Sequence, residues 1–310
     1  MRNPRGTRWV AAMVAGLAWG CNRGDGAADA PTVALVLKTL NSPFFIELEA
    51  GAQQAADSLG IELVVQAPDR EIDVERQMQI IENLLQTGIE VLLLTPSGSR
   101  EIVSAIAEAN RAEVPVVIVD TRADEEALTA AGARISTFIG SDNVDGGRMA
   151  GRFVAEALGG QGRVAIVEGI PGHETGDSRL QGFREVIAEH PGISIVASQT
   201  ANWERDQAFN VTQNMLQSHP ELQAIFAAND MMALGAVEAI AAAGRTGELI
   251  VVGFDALDEA RQAIRDGRMD ATIAQHPREM GRIAIESAWS ILQGDSVPAE
   301  QPVGIELVTE

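Results

Sequence analysis

The 310-residue sequence has one cysteine, one lysine and no tyrosine. Because Cys21 has no second cysteine to pair with, no disulfide forms within the chain. The four histidines, at positions 173, 190, 219 and 276, lack the spacing of zinc ligands, so we expect no metal site. Of the 23 basic residues all but Lys38 are arginine, which directs attention to the position of that lysine.

Positive charge is also scarce. The 23 basic residues face 44 acidic ones, for a net charge of −21. An acidic surface repels phosphate backbones, so we expect no nucleic-acid partner. The hydrophobic share of 46% is typical of a soluble globular chain, and the length suggests about two domains.

Familiar enzyme motifs are missing. The sequence has no G-x-x-x-x-G-[KR]-[ST] phosphate loop, no G-x-G-x-x-G after its first predicted strand and no G-x-S-x-G nucleophile elbow. Ser141-Asp142-Asn143 matches one β-lactamase motif, but Lys38 has no serine three positions before it to complete the second. The glycines of Gly146–Gly151 are more typical of close helix packing than of a phosphate cradle. We therefore expect neither an enzyme nor a cofactor.

The N-terminus has the pattern of an export signal. Three arginines within the first eight residues precede an apolar run, Trp9–Trp19, which is too short to span a bilayer. Leu17–Cys21 resembles a bacterial lipoprotein cleavage box, although Trp19 stands where a small residue is usual. We predict a lipoprotein-type signal peptide over residues 1–21, a tether over 22–31 and a lipid-anchored protein of the periplasm or cell envelope. The alternative is ordinary cleavage near residues 28–30, which would discard Cys21.

From Thr32 onward, short apolar runs alternate with amphipathic stretches of helical period. This alternation predicts an α/β fold with parallel sheets covered by helices, as either one wide sheet or two smaller ones. The predicted strands are Val33–Leu37, Ile61–Gln66, Glu90–Thr95, Val116–Val119, Ile135–Gly140, Arg163–Glu168, Ile193–Gln199, Ala224–Ala227, Leu249–Phe254, Ala271–Ala274 and Gly304–Val308. The polar segment Asp120–Arg134 lacks strand character, and we interpret it as the first crossover between two domains.

Polar side chains follow the ends of several predicted strands. They are Lys38, Asp120, Asn229, Asp255 and Gln275. Ligands of parallel sheets bind beyond the carboxyl ends of the strands. Charged and amide heads suit adjacent sugar hydroxyls, and nearby aromatic rings suit the C–H faces of a sugar ring.

Each of these residues also has a purely structural interpretation. Asp255 and Asn229 are candidate helix caps, and Phe44 and Phe45 are candidate core residues. Trp203 is a candidate loop anchor, Arg179 a candidate surface partner of Glu185 or Glu174, and Lys38 a candidate solvated charge. These alternatives compete residue by residue, but they explain less well why so many polar heads fall at one edge of the sheets.

Across nearly all of residues 32–310 the chain resembles the type I periplasmic sugar-binding proteins, in the ribose- and D-allose-binding group. The matching stretches are LVLKTLNSPFF (35–45), the strand ending at Asp120, SDNVDGG (141–147), VASQTANWERD (196–206), AIFAANDMMALGA (224–236), VVGFDA (251–256) and ATIAQHP (271–277). The resemblance implies two Rossmann-like domains joined by three crossovers, near residues 134, 275 and 304. We assign residues 32–134 and 276–304 to the N-terminal lobe, and 135–275 and 305–310 to the C-terminal lobe.

The resemblance also implies a sugar-binding monomer that serves an ABC permease in the cytoplasmic membrane. The implied sugar contacts are Lys38, Ser42, Phe44, Phe45, Asp120, Arg179, Trp203, Asn229, Asp255 and Gln275. Ser42 departs from the asparagine expected there. Ribose binders have a small hydroxyl residue in place of Lys38 and an arginine in place of Thr121, so this chain resembles the allose-binding member more closely. We expect an aldohexose such as D-allose first and ribose second.

Three other functions compete with sugar import. A sugar sensor that presents its closed form to a chemoreceptor or kinase would carry the same sequence features. The effector domain of a lactose-repressor-type regulator shares the fold, but it needs a basic helix-turn-helix where this chain has a signal peptide. An enzyme is disfavoured by the missing catalytic motifs.

Overall fold

Strands and helices alternate through the chain in a computed structural model that describes residue 1 and residues 30–310. The predicted signal peptide, Cys21 and most of the predicted tether lie outside the described residues. The strands are β1 (Thr32–Val36), β2 (Glu62–Gln66), β3 (Val91–Leu94), β4 (Val116–Val119), β5 (Thr137–Gly140), β6 (Gln161–Glu168), β7 (Gly192–Thr200), β8 (Ala224–Ala227), β9 (Ile250–Asp255), β10 (Ala271–Ala274), β11 (Glu300–Pro302) and β12 (Glu306–Val308). The helices are α1 (Pro43–Leu59), α2 (Val74–Leu85), α3 (Val103–Arg111), α4 (Glu125–Ala131), α5 (Asn143–Ala157), α6 (Glu174–Ala188), α7 (Arg205–Ser218), α8 (Asp230–Ala242), α9 (Asp258–Arg265) and α10 (Pro277–Leu292). None of the helices within residues 30–310 is long and apolar enough to cross a bilayer.

The strands form two six-stranded sheets. The first has the order β11-β5-β4-β3-β1-β2, and the second has the order β12-β10-β9-β8-β6-β7. Strands β10 and β12 pair antiparallel, and the other described pairs are parallel. The central strands β3, β4 and β8 are buried along their whole length, as expected for strands covered by helices on both faces. The α/β class with two lobes is therefore confirmed.

The chain passes between the two sheets three times. It leaves the first sheet between β5 and α5, returns between β10 and α10, and leaves again between β11 and β12. The predicted boundary at residue 134 is wrong, because β5 pairs with β4 in the first sheet and the crossover follows Gly140. The segment Asp120–Arg134 is not a crossover either, since it joins β4 and β5 of the same sheet. It contains α4, whose N-cap Asp124 accepts a hydrogen bond from Ala127 N.

Glycines allow the helix pair α5 and α6 to approach closely in the second lobe. A Cβ on Gly147 would overlap the carbonyl oxygen of Arg179, and a Cβ on Gly182 would overlap that of Val144. The glycine run of α5 is therefore a helix-packing surface, as its sequence indicates. This contact fixes the position of α6, which carries Arg179 to the edge of the sheet.

Candidate sugar-binding site

The ends of strands from both sheets converge on one cavity between the lobes. The structure brings all ten predicted contact residues to its wall, together with two that the sequence analysis missed. The lining residues are Lys38, Ser42, Phe44, Phe45, Glu71, Asp120, Thr175, Arg179, Trp203, Asn229, Asp255 and Gln275. A wider groove along α1, α9 and α10 shares Phe44, Asp255 and Gln275 with this cavity. We place the site in the smaller cavity because all six of the predicted charged and amide contact residues line it, whereas only Asp255 and Gln275 of these six line the wider groove.

A buried ion pair joins the first lobe's two charged residues. Lys38, just beyond β1, and Asp120, just beyond β4, have Nζ and Oδ2 3.1 Å apart, with both side chains 4% exposed. Asp120 Oδ2 also accepts a hydrogen bond of 3.0 Å from the Thr121 hydroxyl. The solvated-charge interpretation of Lys38 is therefore wrong. The pair places one multi-donor ammonium and one carboxylate side by side at the cavity wall.

Arg179 supplies the positive charge of the second lobe. Its Nε donates to Asn143 Oδ1 at 2.9 Å and its Nη1 donates to the Ala228 carbonyl at 2.7 Å. Nη1 also lies 3.6 Å from Asp255 Oδ1, and the guanidinium stacks 3.7 Å from the centre of the Phe254 ring. The surface pairing considered for Arg179 is wrong, because the residue is 3% exposed. These contacts, all made within the second lobe, fix the position of the guanidinium at the cavity wall.

Asp255 and Gln275 form the acceptor side of the second lobe. Gln275 Nε2 donates to Asp255 Oδ1 at 2.8 Å. The Gln275 Oε1 atom is buried and has no hydrogen-bond partner within residues 30–310. Burial raises the pKa of Asp255 to about 6, although Arg179 and Gln275 favour its charged form. The helix-cap interpretation of Asp255 is wrong, because α9 begins at Asp258 after the cap residue Leu257.

Asn229 is a helix cap, as one interpretation of it predicted, and it also lies at the cavity. Its Oδ1 accepts a 2.9 Å hydrogen bond from Met232 N and so caps α8. The same side chain lines the cavity. The cap uses the oxygen, which leaves the amide NH₂ as a donor for a ligand hydroxyl.

Three aromatic rings complete the wall. Phe44 and Phe45, in the first turn of α1, pack edge to face with centroids 5.2 Å apart, and both also belong to the first-lobe core. Trp203, in the loop before α7, belongs to the second-lobe core. Its buried Nε1 has no hydrogen-bond partner in the described part of the chain. The cavity is thus lined by aromatic residues from both lobes, one of which has an indole donor without a partner in the described part of the chain.

Three of the lining residues have a strained backbone. Asp120, Trp203 and Asp255 have φ angles of 66°, 68° and 110°, values that residues other than glycine rarely adopt. Such conformations cost on the order of 1–3 kcal/mol each and cluster at functional sites. All three residues line the same cavity, a coincidence of backbone strain and site that no sequence pattern reveals.

Glu71 and Thr175 are the lining residues missed by the sequence analysis. Glu71 is partly buried in the turn between β2 and α2, five residues beyond the end of its strand. Thr175 lies in the first turn of α6, and its hydroxyl is 3.0 Å from that of Thr121. The acidic residue in a turn after a strand end was an available signal for Glu71. Thr175 gave none, because its partner belongs to the other lobe.

The loop before α6 holds the lobes together beside the cavity. His173 Nε2 lies 3.3 Å from the Pro96 carbonyl, and Glu174 N donates to the Ser99 hydroxyl at 3.1 Å. Pro96 and Ser99 follow β3 in the first lobe, so these contacts close the cleft. Burial, and secondarily Lys38, lowers the pKa of His173 well below 6.5. The histidine is therefore neutral in the closed arrangement.

Comparisons with known proteins agree with this geometry. Residues 33–296 match the family model "Periplasmic binding protein domain". The chain is 40% identical to the ribose import binding protein RbsB of Haemophilus influenzae over 286 residues, 92% of this chain and 94% of that protein. It is 35% identical to the D-allose-binding periplasmic protein of Escherichia coli over 284 residues, 89% and 91% of the two chains.

Solved structures give the same result. An ABC transporter periplasmic solute binding protein from Actinobacillus succinogenes, with bound D-allose, superposes with a TM-score of 0.85 at 39% identity. The match covers 90% of this chain and 97% of that one. These relatives are binding proteins, which confirms the expectation that the chain is not an enzyme. The chain belongs to the periplasmic binding protein family, in the group of the ribose- and D-allose-binding proteins.

Proposed function

We propose that this protein is the solute-binding component of an ABC importer and binds one monosaccharide in the cavity between its lobes. The observation that carries the proposal is the gathering of buried polar heads with unused hydrogen-bonding atoms, Gln275 Oε1 and Trp203 Nε1, between aromatic rings. Buried polar atoms without partners are rare in native proteins. Sugar hydroxyls would supply those partners.

An aldohexose such as D-allose is the favoured ligand, and ribose is the second. Lys38 supports this order because its ammonium, held by Asp120, offers donors at a position where ribose binders have a small hydroxyl residue. The relatives named for ribose and for D-allose are 40% and 35% identical, so overall identity does not separate the two sugars. The side chain at position 38 is therefore the stronger argument.

A thermal-shift screen of purified protein against pentoses and hexoses tests the function. A sugar present at 100 times its Kd stabilises the folded state by about 2.7 kcal/mol. We expect D-allose to raise the melting temperature most, followed by ribose. No shift with any pentose or hexose would overturn the proposal.

Binding proceeds by hinge closure at the three crossovers, because the ligand contacts both lobes and thereby favours the closed state. The contacts of His173 and Glu174 with the first lobe form in that state. Small-angle scattering is expected to show a smaller radius of gyration when the sugar saturates the protein. An unchanged radius would contradict the hinge mechanism.

Anchoring completes the proposed role. A lipid on Cys21 would hold the protein at the membrane that contains the permease, and residues 22–31 would serve as the tether. The pattern of charged residues, short apolar run and cleavage box supports this location.

A further inference from the structure

The cavity contains more negative than positive side chains. Glu71, Asp120 and Asp255 supply three carboxylates, whereas Lys38 and Arg179 supply two cations. Asp120 is paired with Lys38 at 3.1 Å, and Asp255 is held near Arg179 and Gln275. Glu71 is the one carboxylate of the three that makes no hydrogen bond or ion pair within residues 30–310. A third negative charge in this cavity is costly, because Lys38 and Arg179 lie against Asp120 and Asp255 and Glu71 has no ion-pair partner of its own within residues 30–310.

We infer that Glu71 takes up a proton when the cleft closes on its sugar, so that a neutral carboxylic acid donates to one sugar hydroxyl. This inference rests on the proposed function. It makes sugar affinity depend on pH through a residue in the turn between β2 and α2. A neutral acid has one O–H donor and one carbonyl acceptor, so it can both donate to and accept from a sugar hydroxyl without adding a third buried negative charge.

The surroundings of Glu71 favour the protonated form. Burial raises the pKa of Glu71 to about 7, and the nearby charges of Asp120, Asp255 and Glu204 add to this effect. Lys38 opposes it. On the outer side, the Glu204 carboxylate is 3.4 Å from Arg70 Nε. An open cleft would return Glu71 to water and lower its pKa toward the ordinary value of 4.5.

Because the pKa of Glu71 is higher in the closed state than in the open state, sugar affinity depends on pH. Between pH 4.5 and 7 the closed state binds a proton that the open state lacks, so sugar affinity falls as pH rises through this interval. Above about pH 7 the closed state also loses the proton, and the affinity levels off. The pKa values of Asp255 and His173 are also shifted, so the contribution of Glu71 must be measured as a difference between two proteins.

Glu71→Gln supplies that difference, because glutamine imitates the neutral acid at every pH. Titration calorimetry with D-allose and ribose at pH 6, 7 and 8 gives a Kd for each protein. We expect the Gln variant to bind more tightly than the wild type at pH 8. The ratio of the wild-type Kd to the variant Kd should grow about tenfold between pH 6 and pH 8. Glu75→Gln, an exposed change four residues away, is the matched control and should follow the wild type.

Proton uptake provides a second readout. Calorimetry at pH 7 in two buffers of different ionisation enthalpy should show about half a proton more per sugar for the wild type than for Glu71→Gln. Equal uptake, a constant Kd ratio, or weaker binding by the Gln variant at every pH would overturn the inference. Failure of the wild type to bind any sugar would instead overturn the proposed function.

Discussion

Lys38 Nζ and Asp120 Oδ2 lie 3.1 Å apart, and each side chain is only 4% exposed. The two residues are 82 positions apart in sequence, yet each follows the end of a strand of the first sheet. When two charges are buried this deeply, the loss of their hydration offsets much of the free energy gained from their mutual attraction. The pair is more readily explained as a preorganised donor and acceptor for a ligand than as a source of stability.

Replacement of Lys38 tests the choice between sugars. Lys38→Ser introduces the small hydroxyl side chain that is typical of ribose binders. Because the ammonium is expected to donate to a hydroxyl that a pentose lacks, D-allose should bind about tenfold more weakly, while ribose should lose less. Calorimetry with both sugars measures the two changes. Equal losses would show that Lys38 serves only to neutralise Asp120.

The glycine contact between α5 and α6 predicts a change in stability. A Cβ on Gly147 would overlap the Arg179 carbonyl oxygen and approach the Phe183 nitrogen. Gly147→Ala should therefore lower the free energy of unfolding by about 1–3 kcal/mol. Gly304→Ala is the control, since nothing lies within 4 Å of a Cβ built there. Denaturant unfolding of both variants makes the comparison, and equal stabilities would refute the close packing.

His173 predicts an acid-sensitive closed state. Its pKa lies well below 6.5 in the closed protein, so below pH 6.5 the unfolded chain binds a proton that the closed protein does not. The contribution of His173 to the free energy of unfolding is fully present above pH 6.5. It is lost on acidification, by up to about 1.4 kcal/mol per pH unit. Raised pKa values at Glu71 and Asp255 act in the opposite direction, so a variant is needed to isolate the histidine.

His173→Gln is that variant, because an amide retains a donor for the Pro96 carbonyl but does not titrate. Melting temperatures at pH 7 and pH 5.5 should fall more for the wild type than for the variant. The same loss in both proteins would mean that His173 is protonated without cost in the closed state. Lys38 and Arg179, the cations that disfavour its protonation, are unchanged in this comparison.

Cys21 predicts a lipid anchor. In a bacterial host supplied with labelled palmitate, the wild-type protein should incorporate the label, and Cys21→Ala should not. Mass spectrometry of the mature N-terminus is an independent check. An unlabelled wild-type protein cleaved near residues 28–30 would contradict the lipoprotein proposal while leaving export intact.

The strands were largely predictable because parallel strands buried on both faces have continuous apolar sequences. Val116–Val119, Ala224–Ala227 and Ala271–Ala274 match prediction at both ends. Strand β11 was missed because Glu300–Pro302 is short, mostly exposed and free of apolar residues other than proline. Helix α4 was missed because it buries none of its side chains and so lacks an amphipathic pattern.

The site was predictable to the extent that its residues follow strand ends. Asp120 and Gln275 come directly after β4 and β10, so the sheet geometry alone brings them to one edge. Glu71 was missed because it does not directly follow a strand end, although an acidic residue in the turn after β2 was an available signal. The positive φ angles of Asp120 and Asp255 also have no counterpart in the sequence, because they result from the packing around them.

Calorimetric titration of wild-type protein and Asp255→Ala with D-allose and ribose tests the central claim most directly. Asp255 is held by Gln275 at 2.8 Å and lies 3.6 Å from Arg179, so its removal leaves a buried guanidinium without its carboxylate. Loss of one partner of such a pair costs about 2–5 kcal/mol, or roughly 30- to 4000-fold in affinity. We expect the wild type to bind one sugar per chain and the variant to bind it at least 30-fold more weakly. An affinity near that of the wild type in Asp255→Ala would contradict the assignment of the site.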